Sequence, residues 1–216
     1  MTSKFRFAVE KYLEDRKPNL RYTAFDYCYN HFHQNFDPKK LDMEKSCLVL
    51  YSYLANWGMM RNSFLMKEVN HKHLEQTVRY IAESDPSLWK IDVNNYTDAN
   101  IERIVTTYNE IKEILVPTGV KPLTVVTKLL LGVYGFVPAF DRKFCLTFRK
   151  LFSKNCGFTS CNVEACQCIK SFYEDNKEII NEFHTKTKTI DYQTGRFTNL
   201  RYPRAKIIDM YGFQEE

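Results

Sequence analysis

PTGVKPLTVVTKLLLGVYGFVPAFDRKF, from Pro117 to Phe144, is the stretch whose reading decides the fold. It opens with turn chemistry: Pro117, Gly119 and Pro122. Gly119 supplies the backbone freedom of a tight turn. Pro122, with a fixed φ and no N–H, suits the first position of a helix. An apolar run from Leu123 to about Leu131 then predicts a helix, and the nearly uncharged composition through Ala139 predicts its burial. Gly135 to Ala139 reads as a short irregular segment. It delivers one carboxylate, Asp141, directly before the cations Arg142 and Lys143. The piece is therefore helix, hairpin turn, buried helix, and an acid at a loop-to-helix junction.

Upstream, the same helical period repeats. Residues 98–115, capped by Thr97, carry Ile101, Ile104, Val105, Tyr108, Ile111 and Leu115 at i, i+3, i+4 and i+7 spacing. Asn70 is placed to cap a helix from His71 to about Ala82. Residues 3–16, 21–35 and 41–56 each present an apolar or aromatic stripe, separated by Pro18 and by Asp37-Pro38. Downstream, Phe144, Phe148 and Phe152 lie at i, i+4 and i+8 of a helix over about 141–152. That stripe reads as core more readily than as a stacking surface for bases. Asn162 suits the cap of a helix over 163–184. A short hairpin fits residues 190–198, around Gln193-Thr194-Gly195, and a closing helix fits Ala205–Tyr211.

Seven Gly and seven Pro in 216 residues are too few for a sandwich or barrel, and 44% apolar content is enough to fill a core. The expectation is an all-α single domain over 1–216, of roughly eight to ten helices. It allows two lobes meeting near 117–141. No run approaches the roughly 18 apolar residues of a membrane span, and no signal-peptide core opens the chain. A cytoplasmic protein is expected, and its oligomeric state is left open.

The seven cysteines are Cys28, Cys47, Cys145, Cys156, Cys161, Cys166 and Cys168. The last four are spaced C-x4-C-x4-C-x-C, which lacks the paired C-x2-C of structural zinc. Reduced thiols, no metal and no cofactor are expected. His31 and His33 fall on different faces of their helix and read as surface histidines. The net charge of +5 is concentrated in the second half. Arg142, Lys143, Arg149, Lys150 and Lys154 occur there with no acid between them, a pattern able to follow a phosphate backbone. A solvated basic face is the plain alternative.

The turn, helix and acid of Pro117–Phe144 resemble the helix-hairpin-helix DNA glycosylases of the endonuclease-III-like group. Gly119-Val120 matches the start of that family's hairpin, and Asp141 follows at close to the family's separation. The resemblance covers about thirty residues. It implies a glycosylase-like helical fold, phosphate binding at the hairpin and a catalytic role for Asp141. Thr118, Gly119, Lys121, Arg142, Lys143 and Arg149 would then contact DNA. Lys121 replaces the second hairpin glycine, and Leu123 stands where the lyase lysine of bifunctional members lies. The implied chemistry is therefore hydrolysis of an N-glycosidic bond, without a lyase step. Arg142-Lys143 also departs from the small-and-His pair that usually follows the acid.

A different class of function fits other residues. In WGMMRNS, Trp57 and Arg61 lie among Met59, Met60 and Phe64 and are candidates for a ligand pocket. Arg61 suits stacking, anion binding or simple snorkelling. On this reading the chain is a non-enzymatic helical module for a protein or small ligand, and Asp141 caps the helix it begins.

Overall fold

The computed structural model describes residues 2–34, 39–152 and 155–214. The chain break read at Asp37-Pro38, and Lys154, lie outside them. Among the described residues the fold is all-α: eleven α-helices and one two-stranded sheet. No helix is long and apolar enough to cross a membrane.

Its first half is α1 (Thr2–Glu14), α2 (Ala24–Gln34), α3 (Met43–Asn56), α4 (Phe64–Lys67), α5 (Glu75–Glu83) and α6 (Asp98–Leu115). Thr97 caps α6 as its residue type suggests, accepting from Asn100 N at 3.2 Å, and Asp42 caps α3 by accepting from Lys45 N at 3.0 Å. Asn70 accepts from Lys72 N at 2.9 Å at the start of a 3-10 turn, His71–Leu74, that leads into α5, where one helix from His71 to about Ala82 was expected. Each satisfies an N–H that helix geometry leaves without an internal partner.

The central element is α7 (Leu123–Val133), which packs against α2, α3 and α6. Every residue from Val125 to Val133 is buried. Close contact with α3 is possible because Gly132 has no Cβ: one would strike the ring of Tyr53. The Tyr53 hydroxyl donates to Lys128 O at 3.0 Å, so this crossing is also hydrogen-bonded.

After α7 the chain leaves helical geometry yet stays buried from Tyr134 to Phe140. It then enters α8 (Arg142–Phe152), whose Phe144 and Phe148 are core residues stacked at 4.1 Å. Two helices follow, α9 (Val163–Asp175) and α10 (Lys177–Lys186), where a single helix over 163–184 was expected. The break is at Asn176, which has φ −124° and ψ 19° and donates its amide to Phe172 O at 2.9 Å. An asparagine side chain that bonds the backbone competes with helix continuation.

The hairpin near the C-terminus is β1 (Lys188–Ile190) paired antiparallel with β2 (Phe197–Arg201). It is pinned to α2 by a buried carboxylate. Asp26 accepts from Ile190 N at 2.8 Å and from the Tyr202 hydroxyl, with Arg16 3.5 Å away. The last helix, α11 (Arg204–Gln214), lies against α1, α8 and α10. Asp92 holds its start by accepting from Arg204 N and Ala205 N.

The histidines of α2 differ from expectation. His31 is buried and its Nε2 lies 2.7 Å from Ser46 Oγ. The Ser46 hydroxyl itself donates to Asp42 O, which leaves Ser46 Oγ as the acceptor for a His31 N–H. The His33 ring lies against Tyr29 with centres 3.9 Å apart and planes tilted by 46°, and its buried Nε2 has no partner among the described residues.

Two predictions follow from this packing. Leu129 is fully buried, so Leu129→Ala is expected to cost about 2–5 kcal/mol in a urea titration. A change below about 0.5 kcal/mol would place α7 at the periphery. Burial lowers the His33 pKa to about 4, below an unfolded value of about 6.5. A histidine with a depressed folded pKa contributes stability that is fully present above the unfolded value. That stability is lost as pH falls through the folded one. Unfolding free energy should therefore decline from pH 6.5 towards pH 4, and His33→Gln should flatten the decline. Identical slopes in the two proteins would exclude His33 as its source.

Candidate functional site

Asp141 occupies the N-cap of α8. Its Oδ1 accepts from Phe144 N at 3.0 Å, and its backbone carbonyl accepts from Cys145 N at 2.9 Å. Its Oδ2 accepts from Lys128 Nζ at 3.1 Å. Lys128 is 3% exposed and Asp141 16%, so the pair lies mostly out of water. The Lys128 ammonium is also 4.7 Å from the centre of the Trp57 ring. One side chain thus joins two residues that the sequence suggested for separate roles.

A second buried pair meets the same indole. Lys206 Nζ lies 2.7 Å from Asp209 Oδ2, with both side chains under 5% exposed. Its ammonium is 5.2 Å from the Trp57 ring and 4.6 Å from the Tyr12 ring. Tyr12 and Trp57 are nearly parallel, with centres 6.5 Å apart, and Tyr22 stands perpendicular to both. Phe213 meets Trp57 edge-on at 5.7 Å. At the surface, the Arg21 guanidinium covers Tyr22, Trp57 and Phe213, and Lys143 Nζ lies 5.1 Å from the Phe213 ring. Such contacts use the negative face of each ring. The Tyr12 hydroxyl and Trp57 Nε1 are buried, without hydrogen-bond partners among the described residues. They are polar positions left over in an otherwise paired cluster.

The chain folds back to make this site. Thr124 Oγ1 donates to Phe140 O at 3.1 Å, and Phe140 N donates to Thr127 Oγ1 at 2.8 Å. Phe140 and Asp141 are thereby laid along the first turns of α7. The hairpin immediately precedes those turns. Thr118, Gly119 and Lys121 are exposed, Gly119 has φ +87° with open space beside it, and Val120 N closes the turn onto Pro117 O at 3.1 Å. No side chain caps the N-terminus of α7.

The remaining sequence candidates fall in different places. Arg142 is exposed at the start of α8. Arg149 turns away to bond Gly157 O at 2.5 Å and Phe158 O at 3.5 Å, and so closes the loop after α8. Arg61 is exposed and folds over Gly58, outside the aromatic cluster. Among the described residues no group of three or more His, Cys, Asp or Glu side chains is placed to hold a metal ion.

Lys128, Lys206, Asp209, Tyr12, Arg21 and Phe213 are the members that sequence reading missed. Three of them carried a signal. Lys128 is a lone charge in an apolar helix, and a charge that must be buried needs a partner. Lys206 and Asp209, three apart among Ile207, Ile208 and Met210, pose the same demand. Compared with known proteins, the chain matches no family model, no curated protein and no solved structure.

The geometry makes a stability prediction. Asp141→Ala removes both the cap and the partner of Lys128, at an expected cost of about 3 kcal/mol at neutral pH. Adding Lys128→Met should recover most of that loss. Additive losses in this double-mutant cycle would mean the two side chains do not interact.

Proposed function

We propose that this protein binds DNA through the hairpin Thr118–Lys121 and the cationic start of α8, in the manner of the helix-hairpin-helix proteins it resembles. Phosphate would rest on the exposed backbone around Gly119, beside the uncapped N-terminus of α7. Lys121 and Arg142 would add charge. The Trp57, Lys128 and Asp141 cluster would receive a base, with the aromatic rings as its walls. The observation that carries this reading is the return of Phe140 and Asp141 to the first turns of α7, which puts the acid at the hairpin's end of that helix. Removal of a base would require Asp141 to act on water or on a sugar cation.

A second reading has its own observation. Both carboxylate oxygens of Asp141 are already engaged, one by Phe144 N–H and one by Lys128. That favours a binding module in which Asp141 positions α8 and does no chemistry. On this reading Trp57 and its aromatic neighbours remain the contact surface.

The test is DNA binding across a salt series. Phosphate contacts release counterions, so affinity should fall steeply with salt. Lys121→Ala should weaken binding and flatten the logarithmic salt slope by about one unit. Asp141→Asn keeps an acceptor for the cap and removes a negative charge near phosphate, so binding should hold or tighten. Loss of base release in that variant, against activity in the parent, identifies an enzyme. Salt-dependent binding without release of any base from damaged duplexes identifies the module. Absent or salt-insensitive binding removes the DNA reading.

A further inference from the structure

A cleft of about 470 Å³ opens between α2, α3 and the tip of the β1–β2 hairpin. That volume falls within the roughly 300–1,000 Å³ of small-molecule sites. Its α3 wall is one helical stripe: Lys45, Leu48, Val49, Ser52, Tyr53 and Asn56 recur at i, i+3, i+4, i+7, i+8 and i+11. At 1.5 Å per residue the stripe is about 16 Å long. Tyr27, Cys28 and His31 form the α2 wall. Tyr192, at the hairpin tip, meets Tyr27 edge-on with ring centres 5.0 Å apart. The tip is held in place from α2, where Asp26 accepts from Ile190 N and the Asn30 amide donates to Ile190 O at 2.9 Å. Two large side chains stay uncovered at this cleft, Tyr192 at 76% exposure and Leu48 at 45%. Most of its polar groups are already engaged. The Tyr27 hydroxyl donates to Pro18 O at 2.6 Å and the Tyr53 hydroxyl to Lys128 O at 3.0 Å, which leaves their rings as wall. Asp191 Oδ1 accepts from Thr194 N and Thr194 Oγ1, both at 2.8 Å. Burial, and then the nearby Lys45 charge, hold the His31 pKa below its ordinary value, so that ring is neutral at pH 7. The Lys45 ammonium is different. It is the one Lys or Arg charge on the cleft, and it makes no ion pair or hydrogen bond among the described residues.

We propose that this cleft binds a small aromatic carboxylate, with its ring between the α2 and α3 walls and its carboxylate on Lys45 Nζ. Tyr27, Tyr53 and Tyr192 offer ring faces and edges to an aromatic ligand, and Leu48 and Val49 add aliphatic surface. Lys45 supplies a charge-assisted hydrogen bond that the protein itself does not use. A cationic ligand would meet that ammonium while the one carboxylate of the cleft, Asp191, is taken up by Thr194. A neutral ligand would dehydrate the ammonium without replacing its partner. Because Asp26 and Asn30 fix the hairpin tip, the walls are in place before the ligand arrives. None of these residues belongs to the hairpin Thr118–Lys121 or to α8, so this inference is independent of the DNA reading.

The test titrates the ¹⁵N-labelled full chain with phenylacetate, phenethylamine and benzyl alcohol and follows the backbone amide shifts. Phenylacetate is expected to move the amides of Leu48, Ser52 and Tyr192 saturably and to leave Gly119 in place. Phenethylamine and benzyl alcohol should each bind about tenfold more weakly, the worth of one hydrogen bond to a charged group. Lys45→Met should weaken phenylacetate binding by about the same factor and bring it level with benzyl alcohol. Ser52→Trp fills the cleft from an exposed position of α3. It should abolish binding of all three compounds while the amide spectrum away from the cleft stays unchanged. Lys45 is exposed as well, so neither variant disturbs the core. Four results would each overturn the proposal: no saturable shift at millimolar phenylacetate, shifts centred on Gly119, equal affinity for the three compounds, or phenylacetate binding that Lys45→Met leaves unchanged.

Discussion

The fold depends on burying a piece of backbone that makes no regular structure. Tyr134 N and Gly135 N still donate to Leu130 O at the end of α7, but Phe136 to Phe140 run through the interior without a helix or ladder to satisfy them. Each unpaired N–H or C=O there would cost about 1–3 kcal/mol. Side chains from distant elements supply the bonds. The Tyr96 hydroxyl donates to Phe136 O, Asp209 Oδ1 accepts from Ala139 N, Thr127 accepts from Phe140 N and Thr124 donates to Phe140 O. The loop before α6, the body of α7 and the last helix are therefore fastened to one segment. Moving any of them would strand polar groups in an apolar interior, so the irregular stretch fixes their relative positions.

The same segment brings the two buried lysines together. Asp209 takes Ala139 N on one oxygen and Lys206 on the other, and two residues on Asp141 takes Lys128. Both ammonium groups then lie within about 5 Å of one indole, where the negative ring face offsets part of their lost hydration. Buried ion pairs seldom add net stability over apolar residues of the same shape, whereas an unpaired buried charge is strongly destabilising. The cluster is better understood as a device that fixes the geometry of Trp57, α7, α8 and α11. Its leftover donors, the Tyr12 hydroxyl and Trp57 Nε1, are buried within it without hydrogen-bond partners among the described residues.

Much of the helical architecture was legible because the apolar spacing is regular. The Thr97 cap and the full extent of α6 follow from local residues alone, as does the buried face of α7. What stayed hidden depends on contacts between distant parts of the chain. Nothing local distinguishes a buried His31 from an exposed one, because its partner Ser46 lies on the next helix. The division at Asn176 turns on one side-chain bond that an uninterrupted apolar pattern does not reveal. In the site, Asp141 and Trp57 were visible as single residues. Their connection was not, because it passes through Lys128, which the pattern of α7 presents only as an exception.

Counting cations in the sequence overstates the charge available to a phosphate backbone. Lys128 and Lys206 are neutralised inside the protein, and Arg16 is held between Asp26 and Lys188 O. Arg149 spends its guanidinium on two loop carbonyls, and the Lys143 ammonium lies on Phe213. Of the cations nearest Asp141 and the hairpin, Lys121 and Arg142 stay exposed, at the hairpin and at the start of α8, with Arg21 on the rim of the aromatic cluster. These residues flank Asp141 and Trp57 and do not form a separate basic stripe. Long-range attraction from such a small set is screened within about 10 Å at 0.1 M salt. If the proposed DNA reading holds, its salt dependence would come from direct contacts at the hairpin and the start of α8, because a field from so few charges does not reach far.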